Sequence, residues 1–148
     1  MPPFNHFTTK AKEAIRKAHE LAIERGQNHV NPMHLIAALV LQEESMVTSI
    51  LEKLDTDTIL LTDSILEAIE SPESGGTRSP SYQIYLTPEL AQSIENSTKI
   101  ASVLQDEFVS TEHLFIGLLR QPSEASQVLR SLQLSEEAVL KALQVLRG

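Results

Sequence analysis

The 148-residue sequence contains no cysteine and no tryptophan, and aromatic residues make up only 4% of it. Without cysteine there is no disulfide, no thiolate metal site and no cysteine nucleophile. Basic residues are also scarce: 12 Lys and Arg stand against 20 Asp and Glu, for a formal charge of −8. That balance opposes the phosphate-neutralising surface a general nucleic-acid binder needs. The densest basic stretch, "KAKEAIRK", is one helix face interrupted by a glutamate. No apolar run approaches the roughly 18 residues of a membrane span, and "MPPFNHFTTK" lacks the apolar core of a secretory signal. A cytoplasmic protein with neither nucleic acid nor membrane as partner is the expectation. GxSxG, Walker A and GxGxxG patterns are missing too, and "SGGT" at 74–77 lacks a following lysine.

What the chain does have is a core-forming share of apolar residues, 41%, with 22% charged, in proportions suited to one globular domain. It also says nearly the same thing twice. "HVNPMHLIAALV" at 29–40 returns as "FVSTEHLFIGLL" at 108–119, pairing Val30 with Val109, His34 with His113 and Leu39 with Leu118. Each motif follows an amphipathic segment. In "TTKAKEAIRKAHELAIERG", Thr8 is the expected N-cap, Ala11, Ala14, Ile15, Ala18 and Ala22 the inward stripe, and Gly26 the C-terminal stop. In "LTPELAQSIENSTKIASVL", Thr87 caps and Pro88 opens the helix, with Leu90, Ile94, Ala101 and Leu104 facing inward.

Two short amphipathic segments then close each copy, their register slipped by one so that Leu54 meets Leu132. Residues 71–85, "SPESGGTRSPSYQIY", read as a linker. No run alternates convincingly as a strand. The expectation is an all-α fold of two tandem four-helix repeats, about 7–70 and 86–148, related by a pseudo-twofold with a groove along the seam.

His34 and His113 each fall three residues after a helix cap, Asn31 and Ser110. A metal ligand or general base would need convergent partners, and no HExxH or second histidine at i,i+4 is present. A ring bonded to backbone at the helix entry is the favoured reading, and a small helical enzyme using either histidine the disfavoured one. Neither catalytic residues nor a cofactor are expected. Glu112, at the second position of its helix, and Asp106 either complement the helix N-terminus or pair with a cationic ligand. By helical phase Ile100 lies on the flank of the inward stripe, while Ile23 and Val103 point away.

These paired motifs resemble the double Clp N-terminal repeat domain that opens the ClpB and ClpC class of AAA+ unfoldases. "VNPMHL" is similar to the ClpB pattern and "STEHLFIGLLR" to the ClpC pattern. The resemblance implies a non-catalytic recognition domain that captures unfolded or aggregated polypeptide, or docks adaptor proteins, and delivers cargo to Clp ATPase modules. It implies a monomeric domain in a hexameric parent; a free-standing accessory subunit of a Clp protease or chaperone is the alternative. It carries substrate contact over to Thr8, Ile100, Asp106 and Glu112, with Asn96 where the family has a groove leucine. For binding phosphorylated arginine it implies Thr87 with Glu112; in the first copy Met33 replaces the glutamate and cannot pair with a guanidinium.

Overall fold

The computed structural model describes residues 5–70 and 85–148, so of the 71–85 link only Tyr85 falls within it. Eight helices order the described chain: α1 (Thr9–Glu24), α2 (Pro32–Leu41), α3 (Met46–Lys53), α4 (Thr58–Glu70), α5 (Pro88–Val103), α6 (Thr111–Arg120), α7 (Glu124–Ser131) and α8 (Glu136–Arg147). The caps foreseen from sequence are in place. Thr8 Oγ1 accepts from the Ala11 amide and Thr87 Oγ1 from the Leu90 amide, each at 3.2 Å. Gly26, just past α1, has φ +69°, the left-handed turn that glycine allows cheaply. Its counterpart after α5 is Gln105 at φ +62°.

The slipped register is visible in the backbone. Ser45 and Ser123 cap α3 and α7, and the left-handed Asp55 and Gln133 follow these helices at matching places.

Pairing between the halves crosses over. The two-residue strands β1 (His29–Val30) and β2 (Tyr85–Leu86) run parallel, and Phe7 bridges Val109 in the same sense. Thr87 N–H therefore donates to Val30 O, and Thr8 N–H to Val109 O, both at 2.9 Å. Such strands are too short to show alternation in sequence. Each repeat's first helix thus starts beside the other repeat's second helix. The later helices interlock likewise, α3 packing on α8 and α4 on α7.

The core runs continuously through both repeats, with α2 and α6 nearly wholly buried: Leu35, Ile36, Ala37 and Leu39 answer Leu114, Phe115, Ile116 and Leu118. Ile23 and Val103 are exposed, as their phase requires. Ile100 is not on a groove flank: it is 3% exposed and belongs to the core. The reason is the closeness of α5 to α6. At Gly117 a Cβ would stand 2.4 Å from the Ser93 carbonyl oxygen, so the hydrogen side chain lets α6 press against the Ser93, Asn96, Ser97 and Ile100 face, all buried. Leu104, by contrast, is only partly buried against this core.

Gly117→Ala should therefore destabilise, by about 1–3 kcal/mol, because the overpacking outweighs the gain in helix propensity. A urea unfolding midpoint unchanged or raised in that variant would contradict the close approach.

Candidate functional site

The start of α6 holds the only carboxylate cluster foreseen from sequence, and its parts are set by the helix entry. His113 Nδ1 accepts from the Ser110 amide at 2.9 Å, closing the first turn. That bond leaves Nε2 as the protonated nitrogen, and it donates to Asp106 Oδ2 at 2.7 Å. His113 is thus buried and architectural, and it orients Asp106 on the turn between α5 and α6. Glu112, second in α6 and 7% exposed, stands beside it.

Both carboxylates meet one cation that sequence reasoning did not single out. Arg147, in the last turn of α8, donates through Nη1 to Asp106 Oδ1 at 3.2 Å and through Nη2 to Asp106 Oδ2 at 2.8 Å. The same Nη2 reaches Glu112 Oε2 at 3.2 Å. The contact spans 35 and 41 positions of chain, and an arginine there reads as ordinary complement to a helix C-terminus. Partial burial pushes the Asp106 carboxyl up, but hydrogen bonds from Arg147 and His113 outweigh it and hold the group below its usual value. Asp106 in turn raises the Arg147 guanidinium further.

Exposed apolar residues lie near these three in sequence: Val103 and Phe108 on either side of Asp106, and Val145 and Leu146 just before Arg147. Chemically the arrangement holds a guanidinium between two anions. No group of three or more His, Cys, Asp or Glu suited to a metal occurs among the described residues.

Of the residues foreseen, Thr8 joins Asp106 and Glu112, through its bond to Val109 just ahead of α6. Ile100 lies in the core beneath and offers no surface. Thr87 does not meet Glu112. The crossed pairing seats it beside Val30, at the start of α2, and the 16 residues of α5 separate it from the Asp106 turn by about 24 Å. The crossing thus sets the backbone of Thr8 against the segment leading into α6, and that of Thr87 against the segment leading into α2. Asn96 is buried and accepts from Gln92 Nε2 at 3.0 Å, so it too is internal.

The first repeat keeps the scaffold and lacks the charge. His34 Nδ1 accepts from the Asn31 amide at 3.0 Å, just as His113 does from Ser110. Gln27 stands where Asp106 stands in the second copy and Met33 where Glu112 stands. His34 Nε2 and Gln27 Oε1 are buried and form no hydrogen bond among the described residues.

The chain belongs to the Clp repeat N-terminal domain family, whose model matches residues 6–132. Among curated relatives, the chaperone protein ClpB of Rhodopirellula baltica is 32% identical over 142 residues, covering 95% of this chain and 16% of the relative. ClpB of Bacillus anthracis is 27% identical over 145 residues, 97% of this chain and 17% of that protein. The chain therefore spans about one sixth of these relatives' length. Among solved structures, the Hsp104 N-terminal domain from Candida albicans shares the fold with a TM-score of 0.83 at 18% identity, covering 97% of this chain and 93% of that one. The N-domain of ClpV in complex with a VipB peptide gives 0.72 at 19%, covering 95% and 89%. The matched region is the N-domain, a module distinct from the ATPase of these chaperones.

Burial, then His29 and Arg25 nearby, lower the His34 pKa from 6.5 to about 4. A histidine whose folded value is depressed takes up its proton more readily when unfolded, so stability is full above 6.5 and falls as pH drops toward 4. His34→Asn keeps an acceptor for the Asn31 amide and removes the titration. Relative to that variant, the parent chain should lose roughly 3 kcal/mol between these limits. Equal loss in both, by urea unfolding across the range, would refute a buried neutral ring.

Proposed function

We propose that this domain is the non-catalytic recognition module of a ClpB- or ClpC-like cytoplasmic chaperone, and that it binds unfolded or aggregated polypeptide or an adaptor protein for delivery to a hexameric ATPase ring. The observation that carries the reading is the guanidinium held by Asp106 and Glu112, with Phe108 exposed two residues beyond Asp106. A polypeptide offering a basic side chain suits the two carboxylates, and an apolar neighbour on it suits Phe108. The ClpV N-domain complexed with a VipB peptide lends support, since it has the same fold.

Thr8, Asp106 and Glu112 are the contact residues of this reading, with Phe108 added and Ile100 withdrawn because it is internal. Arg147 occupies the carboxylates, so an incoming cation exchanges with it rather than filling an empty site. Such exchange keeps affinity modest, as does the ordering of an unfolded ligand. Several domains tethered over one ring would raise effective concentration and offset the weakness. For phosphorylated arginine the same logic leaves one site, built on Thr8 and Glu112, because Thr87 lies against the segment leading into α2 and Met33.

Amide NMR titration with a permanently unfolded polypeptide tests the reading. Shifts should cluster at Thr8, Asp106, Phe108 and Glu112, and Glu112→Ala should weaken binding by about 1 kcal/mol, several-fold in affinity. Unaltered binding in Glu112→Ala, or shifts that spare this surface, would overturn it.

A further inference from the structure

A second surface lies on α3 and α4. These helices are neighbours in sequence and both touch α2, but α3 packs mainly on α6 and α8, and α4 mainly on α2 and α7. They part to leave a cleft of about 410 Å³. Its floor is aliphatic: Leu51 and Leu61 are buried and Val40 is packed against the core, while Ile59 stands at the edge, 75% exposed. Its rim carries three carboxylates, Glu43, Glu52 and Asp63, and no lysine or arginine lines it. None of the three takes part in an ion pair or side-chain hydrogen bond among the described residues.

The fold does not require that charge. In the register fixed by the Ser45 and Ser123 caps, Glu52 corresponds to Arg130 and Asp63 to Lys141. The same helix pair, duplicated in one chain, carries opposite charge at both places. Arg130 meanwhile turns inward to the Leu119 carbonyl at 3.0 Å. The charge at these two rim positions is therefore not dictated by the helix pair, and unpaired like charges around an apolar floor are best relieved by a cationic partner.

We propose that the α3–α4 cleft is a docking site for a basic segment of a partner protein, one that sets an aliphatic side chain on Val40, Leu51 and Leu61 and flanking Lys or Arg side chains against Glu52 and Asp63. A second copy of this chain is the poorer occupant, since it carries the same net charge of −8. The site shares no lining residue with the Asp106–Glu112 surface and does not depend on the function proposed for it.

The test is titration of the whole domain with a short peptide of alternating Leu and Lys, followed by amide and methyl shifts. Shifts are expected at Val40, Glu52, Ile59 and Asp63, with affinity falling as sodium chloride rises. Glu52→Arg with Asp63→Lys, which installs the second repeat's residues at exposed positions, should bind about tenfold more weakly, since two attractions become repulsions. Thermal melting should confirm that this variant is folded. Undiminished binding by the variant would overturn the proposal, as would shifts confined to Asp106 and Glu112, or cleft shifts that follow protein concentration without peptide. A Leu–Glu peptide that binds the cleft equally well would overturn it too.

Discussion

Everything in this domain depends on a pair of short backbone exchanges. Thr8 N–H reaches Val109 O and Thr87 N–H reaches Val30 O, so each repeat's opening helix is anchored at the other's second helix. A small helical unit has more apolar face than it can cover by itself, and a partner copy supplies the missing cover. The crossing decides which copy's side chains become neighbours. Because of it, Thr8 of the first repeat lies against the segment that leads into α6 of the second, and the site proposed around Glu112 draws on both repeats.

Once the scaffold is duplicated, side chains in the two copies are free to diverge. Both helix entries are closed by a histidine Nδ1 accepting from the cap residue's amide. The outer nitrogen of His113 then finds Asp106, and through it Arg147, whereas that of His34 is buried without a bond among the described residues. Gln27 and Met33 lack the negative charge that would attract a guanidinium. Packing diverges as well: Gly117 admits the backbone of α5, where the first copy has Ala38 facing a helix of alanines. Glu52 and Asp63 on the α3–α4 rim are replaced by Arg130 and Lys141 in the second copy. One architecture thus presents distinct surfaces on its two halves.

Most of the fold was legible in the sequence because it is written in local signals. Caps, the proline at the first turn, left-handed stops and 3.6-residue periodicity act within a few positions, and the repeated motif set the two copies in register. The candidate site was legible only in part. Asp106 and Glu112 stand out by their place at a helix entry, but Arg147 arrives from the far end of α8 and nothing near it in sequence signals that contact. Ile100 was misplaced because phase angle describes one helix, while its burial follows from a glycine on another. Thr87 was joined to Glu112 because repeats are read as units, and the crossed strands, two residues each, are too short to announce themselves.

Native-state hydrogen exchange tests the interdependence of the repeats most directly. The amides of Thr8, Thr87 and Val109, which carry the crossing, should exchange only through global unfolding, with the same free energy as core amides of α2 and α6. If either half instead opened by itself, its amides exchanging at a distinctly lower free energy than the other's, the repeats would be separate folding units and a site shared between them could not be the organising feature of this domain.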